Sequence, residues 1–390
     1  MTLSPDTLER IQRRLADATE SPGGDSSSVD PAELARIIRE EAVVISDVDV
    51  LETMRALRHD TQGLGALEAL ASRPGVTDIC VNGPDQVFID CGRGLELTDL
   101  TFSSDPEVRR LATRLASACG RRLDDAQPFL DGHLTRPDGT LVRIHAALAP
   151  PAAQGTCISL RILRHSTTTL DDLVRRSSIP AQIVEVVRGI VRRHASFLVV
   201  GGTGSGKTTL LGAMLAEVPH DERIVAIEDT VELAPDHPHV VNLTTRGPNT
   251  EGRGAITMSD LLKQTLRMRP DRIVVGEIRG AEVVDLLAAL NTGHEGGAGT
   301  VHANSLAEVP ARIEALGALG GLEPAALHAQ LAAAVKVVLV MKRGPGGVRR
   351  LDQIGLLSGT PVRATACWTA DDGPLEGFEE LERIAGVSTP

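Results

Sequence analysis

The run Gly201-Gly-Thr-Gly-Ser-Gly206-Lys207-Thr208-Thr209 has the residue types and spacing to hold a nucleotide triphosphate. Its glycines let successive backbone N–H groups turn inward onto the α and β phosphates, so Gly201, Thr203, Gly204, Ser205 and Gly206 form a cradle. Lys207 can reach the β and γ phosphates, and the Thr208 hydroxyl is placed to ligate Mg²⁺, with Thr209 completing the run. A helix leaving this loop points its positive end at the same anion. ATP and Mg²⁺ are the expected ligands; adenine is the default, because no Asn/Thr-Lys-x-Asp segment specifies guanine.

Three further clusters could serve that nucleotide. Ile224-Val-Ala-Ile-Glu228-Asp229-Thr-Val-Glu232 sets carboxylates directly after an apolar run, where they can hold Mg²⁺ through water, orient an attacking water, or cap the next helix. Arg272-Ile-Val-Val-Gly276-Glu277 resembles a Walker B segment with Gly276 in the place of the usual Mg²⁺-associated aspartate. Metal handling then falls to Thr208, Glu228 and Asp229, while Glu277 sits where it can polarise water near the γ phosphate. The segment Asn291 to Asn304 carries His294 and His302 around a glycine cluster, and hydrogen bonds from both could report γ-phosphate occupancy.

These residues need elements to position them. Phe197–Val200, Ile224–Ile227 and Ile273–Val275 read as short buried strands alternating with helical segments, the pattern of a parallel sheet covered on both faces. Helix starts are expected at Thr257-x-x-Asp260 and Ser305-x-x-Glu308. The fold class is α/β, an ATPase-type domain over residues 182–370. Before it, residues 1–72 read as a helical extension and 73–165 as a small mixed αβ domain. That domain opens on a hairpin, Thr77–Val81 and Gln86–Asp90, and continues through a helix over 105–118 and strands over 141–146 and 156–163. Residues 166–181 read as a linker, and 371–390 as a weakly ordered tail.

Composition bounds the partners. A net charge of −12, 2% aromatic residues and no tyrosine make a poor nucleic-acid binder, so no direct nucleic-acid contact is expected. Five scattered cysteines without a C-x-x-C pair argue against zinc and against disulfides. No apolar run is long enough to span a bilayer, and the first residues lack the apolar core of a signal peptide. The expected location is therefore cytoplasmic.

The phosphate loop, the acidic box Ala226–Glu232, the glycine-before-glutamate strand and the histidine box, in this order, resemble the secretion and type IV pilus assembly ATPases. Val81-Asn-Gly-Pro-Asp-Gln-Val87, the run Leu266–Gly280 and Asn291-Thr-Gly-His294 resemble the tight-adherence (Flp) pilus branch, and the tetracysteine motif of the type II branch is absent. The resemblance implies a PAS-like N-terminal αβ domain joined to a RecA-like ATPase domain. It also implies a homo-hexamer that hydrolyses ATP to drive pilus assembly or secretion, working with integral membrane platform proteins at the inner face of the cell membrane. It implies Glu232 as catalytic base, Glu277 as the Walker B glutamate and His302 as the histidine closest to phosphate. Arg143 and Arg161 match the family's nucleotide-facing arginines, with Arg122 a weaker candidate. A nucleic-acid or conjugation-type motor and a non-hydrolysing nucleotide-dependent scaffold are the alternatives.

Overall fold

In the computed structural model, the described residues are Arg36, Glu40 and 63–387, apart from 93, 137, 164–167 and 249–252. The expected helical extension therefore falls mostly outside the described residues. The chain divides into two compact units, residues 1–163 and 164–390.

The first unit is an antiparallel six-stranded sheet backed by helices. Helix α1 (Glu68–Ala71) leads into β1 (Asp78–Asn82), β2 (Val87–Asp90), β3 (Leu95–Leu97), α2 (Asp105–Ala118), β4 (Phe129–Thr135), β5 (Leu141–Ala147) and β6 (Cys157–Leu163). The strand order is β3-β2-β1-β6-β5-β4. Residues alternate between faces along a strand, so Val142, Ile144, Ile158 and Leu160 turn to a core closed by Leu111, Leu115 and their neighbours on α2. The expected hairpin forms with Val81 opposite Val87. The domain begins earlier than residue 73: Leu64, Leu67, Leu70 and Ala71 are buried in this core. Arg136 fixes the same segment, its Nε donating to Glu68 at 2.9 Å and its Nη2 to Ser72 at 2.8 Å. The register of this contact, sixty-eight residues apart, is not visible to local patterning.

The second unit opens with α3 (Leu170–Arg175) and α4 (Val184–Arg192). Its sheet is built from β7 (Phe197–Val200), β8 (Ile224–Glu228), β9 (Val240–Thr244), β10 (Arg272–Ile278), β11 (Ala298–Val301), β12 (Val337–Arg343), β13 (Arg349–Ser358), β14 (Arg363–Thr369) and β15 (Gly373–Pro374). Between them lie α5 (Lys207–Leu215), α6 (Met258–Thr265), α7 (Glu282–Leu290), α8 (Val309–Leu319) and α9 (Pro324–Ala334), with α10 (Phe378–Ala385) last. Strand order is β15-β14-β13-β12-β7-β11-β10-β8-β9. The strands from β12 to β9 pair in parallel, and β13 to β15 extend the edge antiparallel. Alternate residues of the central strands feed two apolar layers: Phe197 and Val199 face one, Leu198 and Val200 the other. This is the parallel α/β sheet, covered on both faces, that the apolar runs imply.

Three expectations need correction here. The segment expected as a linker holds α3, whose first turn is closed by a reciprocal Thr169–Asp172 capping box and whose Leu170 and Leu173 are buried in the second unit's core. The last threonine of a polar run was a helix cap, and polarity alone resembled a linker. The segment expected as a weakly ordered tail adds β15 to β14 and forms α10, with Leu381 and Ala385 buried. Its Gly and Glu content hid an apolar stripe of Phe378, Leu381 and Ala385 at helical spacing, bracketed by left-handed Gly377 and Gly386. Thr257-x-x-Asp260 forms the expected box, but Ser305-x-x-Glu308 does not. There Glu308 accepts from the Asn304 N–H at 2.9 Å and the Ser305 hydroxyl makes no cap bond.

Candidate nucleotide site

Strand β7 is buried along its whole length, and the chain leaves its C-terminal end through the glycine loop into α5. Open parallel sheets bind ligands at that end. Gly201 must be glycine, since a Cβ there would stand 2.3 Å from the Met341 carbonyl oxygen and 2.6 Å from Ser205 Oγ. Gly206 starts α5 in the left-handed region at φ 97°, and no side chain caps the helix among the described residues. The first N–H groups of α5 are thereby left to an external anion. Lys207 is buried, and its ammonium donates to the carbonyls of Gly201 and Gly202 at 3.0 Å each. Burial lowers its pKa, an effect that Glu277 opposes.

The parallel neighbours of β7 bring the carboxylates and one histidine to the same edge. Glu277, next to last in β10, is ion-paired with Arg279 and lies 3.0 Å from His302 Nε2. Burial pushes its carboxyl up, but Arg279, His302 and Lys207 together hold it below the ordinary glutamate range. His302 follows β11, with Nε2 3.5 Å from Lys207 Nζ. Burial and then Lys207 lower its pKa against the pull of Glu277, which favours the neutral imidazole. Glu232 lies beside the loop, 3.5 Å from the Thr208 hydroxyl.

Glu228 has a different place from Glu232. It is 4% exposed at the end of β8 and accepts from the N–H groups of Glu232 and Leu233 at 3.2 and 3.1 Å. Burial pushes its carboxyl up to about 7. Its Cγ stands 2.7 Å from where a Cβ on Gly276 would be, so the Glu228 side chain fills the space that an aspartate at 276 would need. This accounts for glycine at 276 in the Walker B-like strand: the neighbouring strand's Glu228 leaves no room for a side chain there. Asp229 is exposed, with one oxygen accepting from Thr245 Oγ1 at 3.0 Å and the other 3.4 Å from Arg279.

The sequence profile of the type II/IV secretion system proteins matches residues 60–352. The chain belongs to that family. Among similar proteins, a putative conjugal transfer protein of Mycobacterium tuberculosis H37Rv is 56% identical, over 87% of this chain and 98% of the relative. The type IV secretion system protein PtlH of Bordetella pertussis is 32% identical, over 77% of this chain and 95% of its own length. The crystal structure of the Legionella pneumophila ATPase DotB shares the fold with a TM-score of 0.53 at 19% identity, covering 86% of each chain.

The residues of this family member fit a Mg²⁺-bound nucleotide. The Ser205 hydroxyl is buried with no hydrogen-bond partner among the described residues, in a loop with a buried ammonium and an uncapped helix start. Gly201, Thr203, Gly204, Ser205 and Gly206 form the loop, and Lys207, Thr208 and Thr209 the first turn of α5 that follows it. Glu232, Glu277 and His302 lie within one or two contacts of it. His294 does not join them: it precedes β11 while His302 follows it, so the strand sets His294 toward the opposite end of the parallel strands. Arg143 and Arg161 belong to the first unit. They are cross-strand neighbours on the sheet face away from its core, Arg143 3.3 Å from Asp131 and Arg161 3.1 Å from Asp78. Arg122 is exposed and paired with Asp124.

Sequence reasoning missed Arg279. It lies two residues beyond Glu277, just past the end of β10, and the i, i+2 spacing of extended backbone lets the two side chains pair. That signal was available in the run Gly276-Glu-Ile-Arg279. The β12–β13 hairpin beside the loop was also missed, because only the pairing of β12 with β7 brings it there.

Proposed function

We propose that this protein is an ATP-hydrolysing motor, a homo-hexamer that works at the cytoplasmic face of the membrane with integral membrane proteins of a secretion or pilus machine. The observation that carries this reading is the convergence of Lys207, Glu277, His302 and the Thr208–Glu232 pair on one loop. When bound, Mg²⁺-ATP supplies the transferable phosphoryl group and the cation that balances its charge. Lys207 would exchange its loop carbonyls for phosphate oxygens, and Thr208, with Glu228 and Asp229, would hold the Mg²⁺ that balances the phosphate charge. Glu232 serves as the base for the attacking water, and Glu277 with neutral His302 positions that water and reads the γ phosphate. Arg143 and Arg161 neutralise charge as phosphoryl transfer proceeds.

For the machine served, the motifs of the Flp branch favour pilus assembly. A second reading, conjugation-type transfer, is favoured by the mycobacterial relative, a putative conjugal transfer protein. Measuring ATP turnover together with oligomer mass tests the shared part. Lys207→Ala is expected to lose nucleotide binding, whereas Glu232→Gln and Glu277→Gln keep it and lose turnover by roughly a hundredfold or more. Arg161→Ala is expected to slow turnover within an intact hexamer. A monomer that binds ATP and never hydrolyses it, with or without anionic lipid, would favour the scaffold reading instead.

A further inference from the structure

We propose that Arg349, presented by the β12–β13 hairpin, contacts the phosphates that ADP and ATP have in common; this rests on the nucleotide reading above. Strand β12 runs parallel to β7 in register, Val337 beside Phe197 and Val340 beside Val200. Where β7 turns into the phosphate loop, β12 therefore continues alongside it as Met341-Lys342-Arg343. The chain reverses through 344–348 and returns as β13 with Arg349 opposite Arg343. Both arginines come against the loop. A Cβ on Gly204 would stand 3.5 Å from Arg343 Nη1, and one on Gly206 would stand 3.4 Å from Arg349 Cδ and 3.7 Å from Arg349 Cβ.

The Arg349 stem thus packs on the residue before Lys207. Its Nε is buried and has no hydrogen-bond partner among the described residues. A guanidinium N–H withdrawn from water without an acceptor is costly, and a phosphate oxygen is its best-matched acceptor. Two other cations of the hairpin are differently committed: Lys342 pairs with Asp352 at 2.7 Å, and Arg350 with Asp352 and Asp371 at 3.1 and 3.0 Å. Position along the sheet sets which phosphates are met. Glu277 and His302 approach from β10 and β11 on one flank of β7, and the hairpin approaches from β12 on the other. Arg349 therefore meets the α/β end, away from the bond that is cut.

Equilibrium titration of the full-length protein with fluorescent ADP and ATP analogues tests this, with melting temperature measured in parallel. Arg349→Ala is expected to weaken both nucleotides by the same factor, roughly tenfold or more, the loss of one charge-assisted hydrogen bond. Arg349→Lys should lose less, and Arg350→Ala should bind as wild type does. Wild-type affinity for both nucleotides in Arg349→Ala, with binding lost in Lys207→Ala, would overturn the assignment and leave the loop as the nucleotide site. Weakening confined to ATP would place Arg349 on the γ phosphate and equally overturn it. If Arg349→Ala unfolds, Arg349→Lys decides, since it keeps the stem and lacks the Nε donor: weaker binding at unchanged melting temperature supports the contact, and unchanged affinity overturns it. A wild-type protein that binds neither nucleotide would sink both this assignment and the nucleotide reading beneath it.

Discussion

Glu228 shows how a single buried carboxyl can tie stability to pH. Its pKa rises from 4.5 in the unfolded chain to about 7 in the fold, mainly because burial penalises the charged form. Folding therefore takes up a proton between these values, so the folded state is favoured at low pH and this advantage is lost as pH rises through about 7. Linkage makes the difference on the order of 3 kcal/mol between pH 5 and pH 8. Glu228→Gln removes the titration, and its melting temperature relative to wild type is expected to rise by roughly 5 °C or more from pH 5 to pH 8. A difference that stays flat over that range would mean that Glu228 is ionised in the fold. The carboxylates of Glu277 and Glu232 differ from Glu228 in kind: one is held ionised by Arg279, the other stands exposed beside Thr208.

Elements place these residues through close approaches that only small side chains permit. Helices α4 and α10 meet at Gly189, where an added Cβ would lie 2.2 Å from the Ala385 carbonyl oxygen. On an exposed helix, Gly→Ala stabilises by about 0.5–1 kcal/mol. At this contact Gly189→Ala is expected to destabilise instead, by about 1–3 kcal/mol, because α10 must shift or leave. Thermal unfolding with limited proteolysis of residues 371–390 checks it, and a melting temperature at or above wild type would show that α10 does not pack on α4. A similar constraint joins β8 to β10, where Gly276 makes room for Glu228. The absence of a side chain is what both pairs of elements require.

For the whole molecule, charge is the property with reach. A net charge of −12 opposes the phosphate backbone of DNA at low salt, where attraction to a basic protein would be strongest. The expected result of a mobility-shift or anisotropy titration with duplex DNA near 50 mM salt is no binding with a steep salt dependence; tight, salt-sensitive binding would revive the nucleic-acid motor. The nucleotide loop, the strands Phe197–Val200, Ile224–Glu228 and Arg272–Ile278, and the first unit's hairpin were legible in the sequence, because their signals are local: glycine spacing, apolar runs and two-residue alternation. The sequence by itself also offered the residues that gather at the loop, from Lys207 and Thr208 to Glu232 and Glu277. The tertiary structure decided which of them meet. Only tertiary packing puts Glu228 in the space over Gly276, brings the β12–β13 hairpin against the loop and folds residues 378–385 onto α4. Those contacts join residues far apart in the chain, and their specificity lies in packing across strands and helices that no local period encodes.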